Sequence, residues 1–142
     1  MNKIMGLDLG SKTVGIALSD LLGMIAHGLE TYRFKEDDYD QALKHVLEIA
    51  KRENVHTVVL GLPKHMNGDL GERAEISIRF KERLEQANSG LEVILVDERL
   101  TTKVAEQSLI FADVSRKKRK QVIDKMAAVA ILQSYLDAHS HA

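Results

Sequence analysis

The sequence predicts an α/β protein in which one mixed sheet of five strands carries helices on both faces. Two observations support this prediction. Three short apolar segments come first and are joined by short turns, and after them helical and apolar segments alternate. Strands joined by tight turns pair antiparallel, whereas strands joined through a helix pair parallel. We therefore expect three antiparallel strands followed by two parallel strands.

The first half of the chain holds the antiparallel strands and one helix. The strands are predicted over residues 3–9, 13–19 and 24–34. Apolar and β-branched residues dominate the first two strands, and Gly10 supplies the turn between them. A helix is predicted over residues 37–54, because Asp38 and Gln41 form a capping pattern ahead of apolar residues at helical spacing.

The second half alternates strands and helices. These elements are predicted as strands over 55–63 and 92–99 and as helices over 74–87, 101–112 and 120–138. The first of these strands ends at Pro63 and is largely apolar, which is typical of a strand covered on both faces. Residues 139–142 are expected to fray. Because the sequence shows no repeat and no linker, residues 1–142 are predicted to form one domain.

Composition excludes several classes of protein. With 142 residues the chain is long enough to bury a core, and its net charge of -1 argues against a generally basic nucleic-acid binder. It has no cysteine, which rules out disulfides and thiolate metal sites and is compatible with a reducing cytoplasm. Neither a signal-peptide pattern nor an apolar run of membrane-spanning length is present. No membrane partner is therefore expected.

Carboxylates stand at positions where ligands bind. Asp8 lies inside the first strand, Asp97 and Glu98 end the last strand, and Asp124 lies in the last helix on an apolar stripe. Ligands of open α/β sheets bind beyond the carboxyl ends of the strands. Adjacent residues of a strand face opposite ways, so spacing alone leaves the choice between Asp97 and Glu98 open.

Three inward-facing carboxylates repel one another unless a cation lies between them. Oxygen ligands without cysteine favour Mg²⁺ or Mn²⁺ over Zn²⁺. One or two such ions are a common device for phosphodiester hydrolysis, because they activate the attacking water and stabilise the leaving oxygen. This argument alone does not separate a nuclease from another site of phosphoryl transfer. It also leaves open that Asp8 only supports the neighbouring hairpin.

A cluster of cations precedes Asp124. Its members are Arg116, Lys117, Lys118, Arg119 and Lys120. Cations at a helix N-terminus oppose the helix dipole, so contact with phosphate explains them better than local stability does. A solvated loop is the alternative interpretation. Lys12, in the first turn, and Lys64, after the strand ending at Pro63, could add phosphate contacts.

Four motifs carry a resemblance to a known family. The segments GLDLGSKTVGIALSD, VVLGLPKHMNGDLGERA, VDERLTT and IDKMAAVAILQSYL occur in the order of the YqgF family, also called RuvX or Holliday-junction-resolvase-like. The resemblance covers residues 3–137. It implies an RNase H-like fold and a metal-dependent nuclease site formed by Asp8, Glu98 and Asp124. One loop departs from the family's usual L-P-K-N-M-D-G, since it carries His65 and Asn67.

The resemblance also implies a function. The family is associated with processing the 5′ end of pre-16S rRNA in the bacterial cytoplasm. The expected cofactor is the Mg²⁺ or Mn²⁺ that the oxygen ligands favour. Structured RNA and the pre-ribosome are then the expected partners of a monomer or weak dimer. Cleavage of four-way DNA junctions is the first alternative, and a non-catalytic nucleic-acid-binding or ribosome-binding module is the second. The first hairpin also resembles that of the actin-like and sugar-kinase ATPases, but 142 residues supply only one of their two lobes.

Overall fold

A computed structural model describes residues 2–63, 71–97 and 116–139, with side chains of the last range described from residue 126 onward. The strands are β1 (Ile4–Leu9), β2 (Thr13–Ser19), β3 (Ala26–Arg33), β4 (Thr57–Leu62) and β5 (Glu92–Asp97). The helices are α1 (Tyr39–Arg52), α2 (Glu72–Ala87) and α3 (Arg116–His139). The predicted helix over 101–112 lies outside the described residues.

The described strands form one mixed sheet in the order β3-β2-β1-β4-β5. β1 pairs antiparallel with β2, and β2 pairs antiparallel with β3. β1 pairs parallel with β4, and β4 pairs parallel with β5. This confirms the predicted arrangement and makes β1 the central strand. The ends of β1, β4 and β5 that lead to their C-termini share one edge of the sheet, here called the carboxyl edge.

Helices cover both faces of this sheet. On one face, Met5, Leu7 and Leu9 of β1 belong to a buried cluster that includes apolar residues of α1 and α2. On the other face, Ile4 packs against a second cluster, to which α3 contributes Ala128, Ile131, Leu132 and Leu136. Alternate residues of a strand point to opposite faces, so the period of two along β1 divides the core into these two layers.

Gly6 sets how closely α3 approaches β1. A Cβ atom at this position would lie 2.6 Å from the Cβ of Leu132 and 2.9 Å from the carbonyl oxygen of Ala128. Both distances are shorter than carbon and oxygen atoms tolerate without a shift. Glycine is therefore required at the centre of β1 for α3 to lie directly on the sheet.

Local signals at α1 are confirmed. The Asp38 side chain accepts a hydrogen bond from the backbone N–H of Gln41 at 3.3 Å, as the capping pattern predicted. The helix ends at Arg52, and Asn54 adopts a positive φ of 57°, a conformation that asparagine tolerates better than most residues. Both ends are thus determined by residues within a few positions of the helix.

The predicted start of the third strand is wrong by two residues. β3 begins at Ala26, because Met24 and Ile25 belong to the preceding turn. Their backbone N–H groups donate to Oδ1 of Asp20, at 2.8 Å and 3.2 Å respectively. The carboxylate satisfies two backbone groups that a strand would otherwise pair.

The predicted bounds of the last helix are too narrow at both ends. α3 begins at Arg116, so the five cations from Arg116 to Lys120 lie in the helix rather than in a loop before it. At the other end the helix includes His139, whose Nδ1 lies 2.8 Å from the carbonyl oxygen of Tyr135. Only residues 140–142 of the expected frayed tail fall outside the described part. No described helix has the length and apolarity needed to cross a bilayer.

Candidate active site

Asp8 lies near the carboxyl end of the central strand, on the face covered by α3. It follows Leu7, which points to the α1 and α2 face, and it shares its face with Ile4 and Gly6. Its side chain is partly buried. A carboxylate in this position is costly to desolvate, so its presence in a strand otherwise rich in apolar residues indicates a functional role.

The sheet surface beside Asp8 has two unusual features, one on β2 and one on β3. Asp8 is opposite Gly15 of β2, and Gly15 is opposite Thr31 of β3, so the three residues form one row on the same face. Gly15 places no side chain between the other two. The hydroxyl of Thr31 is buried and has no hydrogen-bond partner in the part of the chain that the structure describes. Such buried, unsatisfied hydroxyl groups are uncommon and often mark a position where a ligand or water binds.

Asp97 is the last residue of β5, and the packing of this strand shows on which face of the sheet it lies. Val93 and Leu95 pack in the α1 and α2 layer, whereas Val96 packs against the α3 layer. By the alternation of the strand, Asp97 falls on the α1 and α2 face, opposite to Asp8. Glu98 lies outside the described residues. The structure thus separates Asp97 from Asp8, a distinction that the sequence spacing had left open.

Position 124 belongs to α3, and its side chain lies outside the described part of the structure. The helix runs in the opposite direction to β1. Ala128 and Leu132 contact Gly6, while the Gln133 Oε1 atom accepts a hydrogen bond from Ala26 N–H at 2.9 Å. Ala26 pairs with Ser19, whose hydroxyl accepts from Ile4 N–H, so this contact lies at the start of β1. The N-terminal half of α3 therefore extends toward the carboxyl edge.

Lys12 lies in the turn between β1 and β2, at the carboxyl edge, and its side chain is exposed. The turn is held at several points. Gly10 N–H donates to Thr13 O at 2.7 Å, and Phe34 N–H donates to Lys12 O at 2.8 Å. A rigid turn of this kind places an exposed cation beside the strand that carries Asp8. Lys64 lies outside the described residues.

Arg73 is a candidate positioning residue for the site, and the sequence interpretation missed it. Its guanidinium donates to the Tyr39 hydroxyl at 2.9 Å and to the Leu9 carbonyl oxygen at 3.2 Å. Leu9 directly follows Asp8, so Arg73 ties the end of β1 to the start of α1. The available signal was its place in the first turn of α2, where a cation opposes the helix dipole.

The described residues contain no complete metal site. No group of three acidic or histidine side chains among them lies close enough to hold an ion. Of the three carboxylates predicted to act together, only Asp8 has a described side chain. Its partly buried carboxylate is a hard oxygen donor of the type that Mg²⁺ and Mn²⁺ prefer, so the one described member of the donor set fits such an ion.

The architecture of the chain is the RNase H-like fold, which it shares with solved structures of resolvases. The structure of Thermus thermophilus RuvC in complex with a Holliday junction substrate matches 100% of this chain and 98% of its own, with a TM-score of 0.61 and 16% identity. The Fowlpox virus Holliday junction resolvase matches 96% of this chain and 99% of its own, with a TM-score of 0.61 and 17% identity. These similarities confirm the predicted fold.

Sequence comparison identifies the family. The family model described as RuvX, Holliday junction resolvase, matches residues 2–138, and the chain belongs to this family. A protein of Staphylococcus saprophyticus is 58% identical over 137 residues, which are 96% of either chain. One of Staphylococcus aureus is 55% identical over the same length. Both carry the provisional name of pre-16S rRNA nuclease. The suspected family is confirmed.

Proposed function

We propose that this chain is a divalent-metal-dependent endonuclease that hydrolyses phosphodiester bonds of structured RNA during 5′-end processing of pre-16S rRNA. Family membership and the names of relatives that are 55–58% identical support the reaction and the substrate. The proposal includes one domain over residues 1–142, action in the bacterial cytoplasm and the pre-ribosome as partner.

The placement of Asp8 on the α3 face of the central strand is the observation that carries the proposal. Gly6 lies level with the segment from Ala128 to Leu132. Two residues of strand advance about 6.6 Å toward Asp8. Four residues of helix advance about 6 Å in the same direction along α3. Position 124 therefore comes within about one helical turn of the level of Asp8, which supports a shared site for Asp8 and Asp124.

Glu98 is proposed as the third carboxylate. Val96 packs against the α3 layer, whereas Asp97, the next residue, falls on the opposite face. The parallel register pairs Leu60 with Leu7 of β1 and with Leu95 of β5, so residue 96 is level with Asp8 two strands away. These relations favour Glu98 over Asp97 as a partner of Asp8 and agree with the family motif.

Asp8, Glu98 and Asp124 would hold one or two Mg²⁺ or Mn²⁺ ions. When bound, such an ion supplies the electrostatic stabilisation that hydrolysis of a phosphodiester requires. The described residues determine where Asp8 and the helix that carries position 124 lie. The central strand fixes Asp8, and the close contact at Gly6 fixes the height of α3 above the sheet. Arg73 holds the backbone of Leu9 in place beside Asp8.

Cations at the carboxyl edge are proposed to bind the phosphate backbone of the RNA. Lys12 is exposed in the rigid turn after β1. α3 begins with the five cations Arg116 to Lys120, and its N-terminal half extends toward the same edge. Lys64 follows the carboxyl end of β4 in the sequence. Backbone contacts of this type position a nucleic acid without reading its sequence.

Cleavage of a pre-16S 5′-leader RNA with Mg²⁺ or Mn²⁺ tests the proposal. Asp8→Asn and Asp124→Asn should each reduce the cleavage rate by about 100-fold or more, as is typical when a catalytic group is removed. Asp38→Asn is the matched control, because it also removes a carboxylate but asparagine caps a helix equally well. Cleavage by Asp8→Asn at the wild-type rate would refute the assigned site. A wild-type protein without cleavage activity would refute the proposed nuclease function.

Resolution of four-way DNA junctions is the second candidate function. The description of the family and the fold shared with RuvC and the Fowlpox virus resolvase favour it. The same preparation should be tested on a four-way junction. Cleavage of the junction without cleavage of the leader RNA would reverse the order of the two candidates. Binding of either substrate without cleavage would instead favour a non-catalytic binding module.

A further inference from the structure

The turn between β2 and β3 exposes an apolar surface. Four of the five large apolar side chains that the structure shows as exposed fall within residues 21–25, with exposed fractions of 55–65%. They are Leu21, Leu22, Met24 and Ile25, here called the apolar turn. Single exposed apolar residues are ordinary on a protein surface, but a group of this kind marks an interaction site.

The backbone of the apolar turn is already hydrogen-bonded. The N–H groups of Met24 and Ile25 donate to Oδ1 of Asp20, at 2.8 Å and 3.2 Å. The Ile25 carbonyl oxygen accepts from Asp20 N–H at 3.1 Å, and the Met24 carbonyl oxygen accepts from α3. A partner gains little from backbone pairing here, which disfavours the addition of a β-strand. A helix suits such a surface, because its backbone groups bond to one another.

Two carboxylates flank the apolar turn. Hydrogen bonds from Met24 and Ile25 lower the pKa of Asp20 below its ordinary 3.8, so this side chain is ionised at neutral pH. On the other side, Nε2 of Gln133 donates to Met24 O and also to Oδ1 of Asp137, both at 2.9 Å. One amide nitrogen thus holds the turn and Asp137 together, which places the second carboxylate beside the exposed apolar side chains.

The segments that form this surface in the described part of the chain carry no lysine or arginine. Residues 20–32 and 126–139 contain none of the chain's 20 such residues. Lys3, at the start of the neighbouring β1, pairs with Glu53 at the end of α1, at 2.8 Å. The surface is therefore apolar and acidic, which complements a partner that is apolar and basic.

This chemistry disfavours other occupants. Nucleic acids and anionic lipids present phosphate groups, which Asp20 and Asp137 repel. Two copies of the chain joined at this turn would bring four carboxylates into one contact, and juxtaposed like charges oppose association. The apolar turn also lies beyond Ser19, at the end of β2 opposite to the carboxyl edge, and β2 is about 20 Å long. A partner bound here would leave Asp8 accessible.

We propose that the apolar turn binds a basic amphipathic helix of another protein. Aliphatic side chains at helical spacing on the partner would contact Leu22 and Met24, and lysine or arginine side chains beside them would face Asp20 and Asp137. Charge complementarity of this kind selects the partner and speeds association more than it raises affinity. Because only four apolar side chains form the contact, binding is expected to be weak and reversible.

Fluorescence anisotropy of a labelled helical peptide, titrated with the full chain, tests this proposal. The probe consists of leucine and lysine, with its leucines on one face. It should bind, and its Kd should rise with salt concentration, because salt screens exposed charges. Two control peptides should bind about tenfold more weakly or less. One has glutamate in place of lysine, and the other has the same composition with its leucines spread over all faces.

Variants of the chain locate the binding site. Leu22→Lys should weaken binding of the probe about tenfold or more, because it removes an apolar contact and adds a like charge. This side chain is 65% exposed, so the variant should melt as the wild type does. Ala87→Lys is the matched control, since it adds the same charge at an exposed position on α2. Asp137→Asn should weaken binding about threefold and reduce its salt dependence, whereas Asp38→Asn should leave both unchanged.

Several results would overturn the proposal. They are absence of probe binding at millimolar concentration, equal binding of the glutamate peptide, wild-type binding by Leu22→Lys or Asp137→Asn, and loss of binding in Ala87→Lys. Self-association of the chain, or binding to anionic phospholipid vesicles, that depends on Leu22 would show a different occupant and would also overturn it. Asp8→Asn should bind the probe as wild type does. Failure of the nuclease assignment would therefore leave this result unaffected.

Discussion

The contact between Gly6 and α3 gives a sharp prediction for Gly6→Ala. The new methyl group would lie 2.6 Å from the Cβ of Leu132 and 2.9 Å from the carbonyl oxygen of Ala128. Carbon atoms in favourable contact are about 3.5–4.0 Å apart. Because both opposing atoms belong to the rigid frame of one helix, α3 must move away from β1 by about 1 Å.

Overpacking of a core by one methyl group costs about 1–3 kcal/mol in the free energy of unfolding. We expect about 2 kcal/mol for Gly6→Ala, equivalent to a fall of about 6–10 °C in Tm for a chain of this size. If the proposed site is correct, the movement also shifts position 124 relative to Asp8. Cleavage activity should then fall even at temperatures at which the variant is fully folded.

Urea unfolding followed by circular dichroism measures the free energy of unfolding, and cleavage of the leader RNA measures the activity. Gly90→Ala is the matched control. Its new Cβ would approach only the Oδ1 atom of the Asn88 side chain, at 3.2 Å. This oxygen accepts an exposed hydrogen bond from Gly90 N–H at 2.9 Å, so a shift of the side chain weakens at most that one bond. We expect a change below about 1 kcal/mol there. A Gly6→Ala protein within about 0.5 kcal/mol of wild type would refute the reasoning.

Two further predictions concern Asp20, in the turn between β2 and β3, and the buried hydroxyl of Thr31. Hydrogen bonds from Met24 and Ile25 lower the pKa of Asp20 below its ordinary 3.8, so its stabilising effect is complete above that pH and is lost as pH falls through the lowered value. Asp20→Asn should melt with a weaker dependence on pH between 5 and 2 than wild type, and equal profiles would contradict this. Thr31→Val should raise the free energy of unfolding by up to about 1 kcal/mol, because it removes a buried hydroxyl that has no hydrogen-bond partner among the residues that the structure describes. A loss of stability in chemical denaturation would show that the hydroxyl is satisfied.

Local sequence determined most of the strands and helices and indicated one candidate carboxylate, Asp8. The strands predicted over 3–9 and 13–19 agree with β1 and β2 to within a residue, and the capping role of Asp38 is confirmed. These features depend on alternation, on turn residues and on side chains that bond to their own backbone a few positions away. Such interactions leave a pattern in the sequence because both partners lie in the same short window. The same patterns indicated Asp8 as a carboxylate that needs a functional explanation.

Tertiary structure decided relations between residues far apart in the chain. The face on which Asp97 lies follows from the packing of β5 between two helical layers. The contact of Arg73 with Leu9 joins residues 64 positions apart, and that of Gln133 with Met24 joins residues 109 positions apart. No local pattern encodes these pairs, because each depends on where two separately formed elements meet. The sequence by itself thus determined which residues form strands, helices and a candidate carboxylate site. Only the folded sheet decided that Asp8 and α3 share a face and that the apolar turn after β2 stays exposed to water.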